Sequence, residues 1–346
     1  MSTSVHPHAA LRAALLLSLG LLLLLHPGRA RAQSCSASNQ TVAFGTVDVV
    51  SGSTGYMSSY NNGTTSTITV TCGVGLLALG SIKFSACVNI AGANGGNPRV
   101  MSSGANSLNY NLYTNSTDTT IWGTTGSTPG PVVVDLSITS VLLGASASSA
   151  VPIYGELLSS QNTAAVAGNY TQTPSATVTY NYTYLTLGTP AAPVACSSGP
   201  SGSNGSSSFT LMSTATVSNN CNISATTINF GGSVGVLSSA IPATGTITAT
   251  CTNGDSYSIA LNKGSTSGAT LSNRLMAGSG SATVQYQLYT TSGYGTVWGD
   301  GTSGTSTVGS TGSGSAQNYT VYGQVPAQTT PAPNTYSDTV TVTVSY

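Results

Sequence analysis

Apolar and polar residues alternate with a period of two along most of the chain, in short runs separated by clusters of glycine and serine. Runs of this kind, rich in Thr, Val, Tyr and Ile, predict half-buried β-strands, and no segment after residue 32 has the period of a helix. Many short strands with turn residues between them are typical of a β-sandwich. The pattern therefore predicts an all-β protein.

The same landmarks occur twice in the same order, at 35–182 and at 221–346, which predicts two tandem domains of one type. Each copy has a cysteine nine positions before a Phe-Gly pair, then a Thr-rich strand that ends at a second cysteine. Arg99 and Trp122 of the first copy match Arg274 and Trp298 of the second. Because only one copy would bind a target, we expect these residues to pack the cores, with buried and hydrogen-bonded arginines.

Strand counting indicates where each domain begins and ends. The second copy shows six candidate strands, at 226–230, 246–251, 257–262, 284–290, 320–324 and 339–346. An immunoglobulin-like sandwich has about seven, so the second domain either lacks one or contains a strand that the pattern conceals. The predicted domains are 33–196 and 213–346, joined by a Gly/Ser-rich linker over 197–212.

Two segments between the copies are candidates for further strands. The first copy continues past Tyr182 through Leu185 and Leu187 to Cys196, which is a candidate for its own completing strand. Apolar and small residues also alternate from Phe209 to Val217, and a strand there would serve either domain.

The N-terminus has the pattern of a secretory signal peptide over 1–32. Arg12 precedes an apolar run over 13–25, and Ala30-Arg31-Ala32 forms a small-x-small cleavage site. A run this short is expected to be removed rather than to span a membrane. Cleavage after Ala32 would leave only two residues before Cys35.

The composition after residue 32 excludes several classes of function. All three histidines precede residue 33, and four basic residues remain against seven acidic ones. So few cations cannot neutralise several phosphates, which argues against nucleic acid as a partner. Without histidine, and with Glu156 as the single glutamate, we expect no enzyme, cofactor or metal site. Asp118, Asp135 and Glu156 are the candidates for the carboxylate pair that an extracellular enzyme would need.

Six cysteines after an export signal predict disulfide bonds in an oxidising compartment. If each copy folds alone, the repeated pair must bridge within it, which predicts the bonds Cys35 to Cys72 and Cys221 to Cys251. The remaining bond, Cys87 to Cys196, would tie the tail of the first domain to its body.

The motifs of the second copy resemble the spore coat protein U-like domain, found in secreted bacterial proteins and in subunits of archaic chaperone-usher pili. The resemblance rests on the two cysteines, Phe230-Gly231, Arg274-Leu275-Met276, the Trp298-Gly299-Asp300-Gly301 run and the Tyr336-Ser337-Asp338-Thr339 run that opens the last strand. It covers almost the whole second copy, and the first copy follows it with looser spacing.

The resemblance implies a function in pilus assembly. Pilins of this family are incomplete immunoglobulin-like sandwiches, completed by a strand from the neighbouring subunit. The edge of Val340, Val342, Val344 and Tyr346 would accept that strand, and the chain would have no extension of its own to donate. Two-domain members resemble pilus tip adhesins, which implies as partners a periplasmic chaperone, an outer-membrane usher and an adjacent pilin, and a place at the cell surface.

Insertions in the first copy indicate where an adhesin would bind, because insertions in a repeat fall in loops and loops carry recognition. The apolar residues in or beside them are candidates for a surface that contacts a hydrophobic material or an unknown receptor: Leu76, Leu77, Leu79, Val132, Val133, Val134, Leu142 and Leu143. The alternative for the three valines, and for the run from Ile138 to Leu143, is a buried strand. The alternative function is a non-fimbrial secreted or coat-like structural protein, whose second domain would fold without a donated strand.

Overall fold

The structure, a computed structural model, describes residues 33–50, 63–75, 80–92, 98–140, 144–196, 203–232 and 235–346. These residues contain nineteen strands and no helix, which confirms the predicted all-β fold. Consequently no described segment is a helix of the length and apolarity needed to cross a membrane. The strands form two tandem immunoglobulin-like sandwiches, the first from β1–β11 and the second from β12–β19.

The first domain has two layers that share one strand. Its strands are β1 (Ser34–Ala37), β2 (Gln40–Val47), β3 (Thr64–Val74), β4 (Gly80–Ile90), β5 (Arg99–Ser103), β6 (Asn106–Tyr113), β7 (Val132–Ser140), β8 (Ala145–Leu157), β9 (Gly168–Gln172), β10 (Ser175–Leu185) and β11 (Asn204–Val217). The order is β1-β3-β8-β6-β5-β9-β11-β10-β4-β7, and β2 also pairs with β11. Alternation decides which side chains enter the core: Ile68 and Val70 of β3 are fully buried, whereas Thr67 and Thr69 are exposed.

The second domain repeats this arrangement with separate sheets. Its strands are β12 (Cys221–Ala225), β13 (Ile241–Cys251), β14 (Ser256–Leu261), β15 (Arg274–Ala277), β16 (Thr283–Tyr289), β17 (Val308–Thr311), β18 (Gln317–Val325) and β19 (Val342–Ser345). One sheet has the order β12-β13-β18-β16-β15 and the other the order β17-β14-β19. Trp298, Leu288 and Ile259 are among the buried residues of the core between them.

The repeated arginines are structural, as the sequence predicts. Arg99 and Arg274 are 1% and 0% exposed. Arg99 donates to the backbone oxygen of Trp122 at 2.5 Å, and Arg274 donates to that of Trp298 at 2.8 Å. Burial lowers the pKa of Arg99 to about 10. Each guanidinium group also donates to the backbone at the end of the preceding strand, β4 in the first domain and β14 in the second. It therefore holds the tryptophan segment of its domain against that strand.

The tryptophans and a pair of glutamines extend this correspondence. The indole nitrogens of Trp122 and Trp298 each donate to a backbone oxygen of the central strand of the smaller sheet, at 2.8 Å on β4 and 3.0 Å on β14. Gln161 and Gln328 each exchange two hydrogen bonds with the backbone of the residue before the buried strand tyrosine. These shared contacts define which positions of the two domains are equivalent.

Three disulfide bonds are present, in the predicted pairing. Cys35 and Cys72 lie directly opposite each other in the β1–β3 ladder, as Cys221 and Cys251 do in the β12–β13 ladder. The bond from Cys87 in β4 to Cys196 holds the segment that follows β10 against the smaller sheet. Each domain is therefore closed covalently within itself.

The segment between the copies differs from the sequence prediction. Residues 204–217, which the sequence divides between a linker over 197–212 and the second domain, form the single strand β11. That strand pairs with β10, β9 and β2, all in the first domain. Residues 186–196, the other candidate for a completing strand, contain no strand. The reason is that β11 already occupies the free side of β10, so its ladder leaves no edge for a second strand.

The strand count of the second domain also needs correction. Residues 226–230 are not a strand, although the equivalent residues of the first domain form part of β2. A strand needs a neighbouring strand to pair with, and β2 has β11. Thr226 donates one backbone hydrogen bond to Thr246, but no strand among the described residues pairs with 226–230. Three short strands, β12, β15 and β17, escaped the pattern because four or five residues carry too little alternation to be recognised.

The two domains touch on both sides of their connection. The side-chain amide of Asn162 donates to the backbone oxygen of Gly314 at 2.7 Å, and that of Asn253 donates to Thr163 at 2.9 Å. Asn220 donates to the Asp48 carboxylate at 2.7 Å. The junction is thus a set of direct contacts as well as a covalent link.

Replacing Arg99 by methionine tests the structural role of the buried arginine. The change leaves carbonyl oxygens without donors in the core, so we expect the free energy of unfolding of the first domain to fall by about 2 to 4 kcal/mol. Urea unfolding of the whole chain measures this. Lys83→Met, a half-buried cation of the same domain, is the matched control and should change stability by less than about 1 kcal/mol. Equal losses in both variants would contradict the assignment.

Candidate strand-acceptor site and distal surface

The last strand of the second domain has one partner among the described residues. β19 pairs with β14, with Val342 opposite Leu261 and Val344 opposite Ile259. Val340, Val342 and Val344 pack against the core of the domain, yet all three remain half-exposed. The outer side of β19 is therefore a strand edge with a row of incompletely covered apolar side chains.

The first domain contains an equivalent strand, β10. Ile90 of β4 and Leu261 of β14 each donate a backbone hydrogen bond to the glycine after the buried tryptophan, so these two residues are equivalent. Ile90 lies opposite Ala176 of β10, and Leu261 lies opposite Val342 of β19. Ala176 and Val342 therefore occupy the same position in the two domains.

Coverage distinguishes the two equivalent strands. β11 pairs with β10 on the side away from β4, and Ala176 and Val178 are only 3% and 0% exposed. The corresponding Val342 and Val344 are half-exposed. The space that β11 fills in the first domain has no described strand in the second.

The opposite wall of this space is formed in both domains. β11 continues from β10 to β2, whose Val42 and Phe44 are 0% and 8% exposed. Their equivalents Ile228 and Phe230 pack against the core but stay half-exposed. Phe230 nevertheless keeps its aromatic contact with Tyr286, at 6.1 Å between ring centroids, like Phe44 in the first domain. We call the space lined by Ile228, Phe230 and β19 the acceptor groove.

Asp338 fixes the segment that leads into β19. One carboxylate oxygen accepts hydrogen bonds from the backbone and hydroxyl groups of Ser265 and Thr266, at 2.9 to 3.1 Å. The other accepts from the Tyr286 hydroxyl at 2.7 Å. Burial by itself raises the pKa of Asp338, but these hydrogen bonds outweigh it, and the net effect is a lowered pKa. Gly264 packs so closely that a side chain there would collide with the carboxylate.

The valines predicted as a surface of the first domain begin β7. Val134 is 7% exposed and Val132 is half-buried, so of the three only Val133, at 45%, is open to a partner. The reason is the ladder with β4, which gives this run the alternation of a strand rather than the geometry of a loop tip. Leu76, Leu77, Leu79, Leu142 and Leu143 lie outside the described residues.

An apolar surface that the sequence analysis did not assign follows β10. Leu185, Leu187 and Val194 are 44%, 88% and 72% exposed, in the segment that ends at the Cys196 disulfide. β11 runs toward the second domain and β10 is antiparallel to it, so β10 ends at the pole of the first domain that faces away from the second. We call these three residues the distal apolar cluster. The sequence contained a signal for this exposure, because Leu187 and Val194 lie in a Gly/Pro/Ala-rich run that lacks the alternation of a strand.

The three carboxylates considered for catalysis do not form one site. Asp118 lies in the turn after β6, and Glu156 lies on β8 opposite Asn111. Asp135 lies on the exposed face of β7, in the other sheet. In the described part of the chain, no group of three or more His, Cys, Asp or Glu side chains is close enough to hold a metal ion.

Comparison with protein families identifies the repeat. The family model of the Spore Coat Protein U domain matches residues 24–177 and 207–343, and the chain belongs to this family. No protein with a curated description matches the chain.

Two solved structures are similar to this chain over most of its length. One is a chain of the pre-assembly complex of the chaperone CsuC and the tip adhesion subunit CsuE, from archaic chaperone-usher Csu pili of Acinetobacter baumannii. It is 20% identical with a TM-score of 0.51, and the match covers 90% of this chain and 100% of that one. The CupB6 tip adhesin from Pseudomonas aeruginosa is 12% identical with a TM-score of 0.37, covering 91% and 94%. The first of these likenesses supports the fold.

Removal of the Asp338 charge should make the second domain less stable in a pH-dependent way. A carboxylate with a lowered pKa in the folded state contributes stability above its unfolded pKa of about 3.9, and that contribution disappears as the pH falls through the folded value. We therefore expect Asp338→Asn to lower the melting temperature at pH 7 and to approach the parent as the pH falls below the lowered folded-state pKa of Asp338.

Melting curves of the whole chain from pH 7 down to about pH 1.5 test this expectation. Ser337→Ala, at an exposed neighbouring position whose two hydrogen bonds with Ala277 are made by its backbone, is the matched control and should melt like the parent at every pH. A constant difference between Asp338→Asn and the parent across this range would contradict the role of the charge.

Proposed function

We propose that this protein is the tip adhesin of a chaperone-usher pilus. Its second domain joins the fibre by accepting a strand from the adjacent subunit, and its first domain contacts the target. The observation that carries the proposal is the difference between equivalent strands: β11 covers β10, whereas no described strand covers the outer side of β19, whose Val342 and Val344 are half-exposed beside the acceptor groove. A strand added there would pair with the edge and cover these side chains.

Assembly of such a subunit calls for three partners. A strand edge with exposed apolar residues is prone to aggregation, so a periplasmic chaperone would protect the acceptor groove before assembly. An outer-membrane usher and an adjacent pilin with a donor extension would complete the pathway. The signal-like residues 1–32, the Spore Coat Protein U family and the fold shared with a chain of the CsuC–CsuE complex support this route to the cell surface.

Attachment would take place at the pole of the first domain that faces away from the fibre. The distal apolar cluster exposes Leu185, Leu187 and Val194 there. β3 and β7 also end at this pole. In the sequence, Leu76, Leu77 and Leu79 follow β3, and Leu142 and Leu143 follow β7. Burial of one leucine or valine against an apolar material contributes about 1.5 to 3 kcal/mol, and many fibres act together. We propose hydrophobic surfaces as the target, with adhesion and biofilm formation as the result.

Polar substitutions on the inner face of β19 should prevent incorporation into pili. Val344→Asp puts a charge where the donated strand would cover it, so we expect the subunit to be lost from the fibre and from the complex with its chaperone. Thr343→Asp, on the exposed face of the same strand, is the matched control and should assemble normally. Immunogold labelling of pilus tips and co-purification with the chaperone measure both effects. Normal tip labelling of Val344→Asp would contradict the proposal.

Polar substitutions in the distal apolar cluster should weaken attachment without loss of pili. For the Leu187→Ser, Val194→Ser double variant we expect at least about tenfold fewer cells on hydrophobic plastic, since two apolar contacts are lost from every fibre. Val236→Ser, at a position that is 76% exposed in the second domain, is the matched control and should attach like the parent. Leu76, Leu77 and Leu79 replaced together by Ser test the neighbouring loop in the same assay. Unchanged attachment of both distal variants, with normal melting and piliation, would exclude this pole as the contact surface.

A further inference from the structure

β11 belongs to one domain by structure and to the other by position in the chain. All of its ladders are with strands of the first domain. However, only residues 218–220 separate its end at Val217 from Cys221, the first cysteine of the second domain. β11 is therefore an N-terminal extension of the second domain that completes the first.

The side chains of β11 show which residue sizes fit at each inward position of the strand that completes the first domain. Phe209, Leu211, Ser213, Ala215 and Val217 alternate toward the interior and are each 8% exposed or less, whereas the residues between them face outward. The strand thus has five inward positions, with a small hydroxyl residue at the centre and apolar residues on both sides. The first domain closes only because these positions fit the walls formed by β10 and β2.

The walls of the acceptor groove are the counterparts of those walls. Val342 and Val344 are equivalent to Ala176 and Val178 of the first domain. Ile228 and Phe230 are likewise equivalent to Val42 and Phe44. All four second-domain residues pack against their own core and lack the cover that β11 provides. We infer that the junction between the two domains is an internal copy of the contact by which the second domain takes up its own donor strand. This inference rests on the proposed function and specifies its partner.

Equivalence with the first domain sets the register of that partner strand. In the first domain Phe209 lies opposite Ala176, Ser207 opposite Val178 and Gly205 opposite Tyr180, in an antiparallel ladder. Since Val342 and Val344 are equivalent to Ala176 and Val178, Tyr346 is equivalent to Tyr180. The donor strand runs antiparallel to β19 and places its first large apolar residue opposite Val342 and a small residue opposite Val344.

The same ladder assigns a glycine to the donor. A Cβ atom on Gly205 would lie 2.3 Å from the hydroxyl oxygen of Tyr180, so any side chain there would require the tyrosine ring to move. The donor residue opposite Tyr346 is accordingly glycine. The partner is thus an extension with the order Gly-x-small-x-apolar-x-apolar-x-small-x-apolar-x-apolar, a few residues before the first cysteine of a domain of the same type.

Three fusions of the full chain test this register. Each adds a copy of residues 204–217 after Tyr346 through a flexible linker: with the natural order, with each inward residue exchanged with its outward neighbour, or with valine at the position of Gly205. We expect the natural order to raise the melting temperature of the second domain and to slow amide exchange in β19 by at least about tenfold. The other two fusions should do neither.

A cysteine pair reads the register directly. Val344→Cys should form a disulfide with a cysteine at the Ser207 position of the appended strand, and not with cysteines placed two residues to either side. Equal protection by the natural and exchanged orders, protection by the valine variant, or a different register of cross-linking would overturn the inference and leave strand acceptance intact. If no appended strand of any order protects β19, the proposed function fails as well.

Discussion

The ladder between β10 and β11 is the interaction on which the rest of the structure depends. It supplies backbone partners for β10 on the side away from β4 and brings Phe209 and Leu211 over the core of the first sandwich. A strand edge left open would expose both unpaired backbone groups and apolar side chains to water. Because β11 also leads directly into the second domain, the same ladder sets where the domains meet and which pole of the first domain faces away.

The two sandwiches are comparable residue by residue because their frameworks use the same buried polar contacts. Arg99 and Arg274 each donate to backbone oxygens, and so do Trp122 and Trp298. Contacts with the backbone depend on chain geometry and tolerate changes in neighbouring side chains. Loops of different length can therefore be inserted around a constant framework. Against that framework, the contrast between β10, which β11 covers, and β19, whose outer side no described strand covers, supports the proposed function.

The proposed adhesin separates its two tasks by this geometry. Strand acceptance would belong to the edge of β19, whose half-exposed valines line the acceptor groove and whose approach is held by the hydrogen-bonded Asp338. Target contact would belong to the pole of the first domain that faces away from the second, where Leu187 and Val194 are exposed. Between the two ends, force would pass through β11 and the disulfide-closed sandwiches, so each task is carried out without rearrangement of the other.

The sequence by itself determined the all-β fold, the repeat and the disulfide pairs, since strand alternation and repeated spacing are local properties of the chain. It also identified the packing role of Arg99 and Arg274 and the row from Val340 to Val344. Tertiary structure alone decided the role of β11, because alternation from Phe209 to Val217 fits a strand of either domain, and only pairing across distant residues chooses one. The same reason explains why residues 226–230 are not a strand and why Val132 to Val134 begin β7: whether a short apolar run is strand, loop or exposed surface depends on the strand beside it.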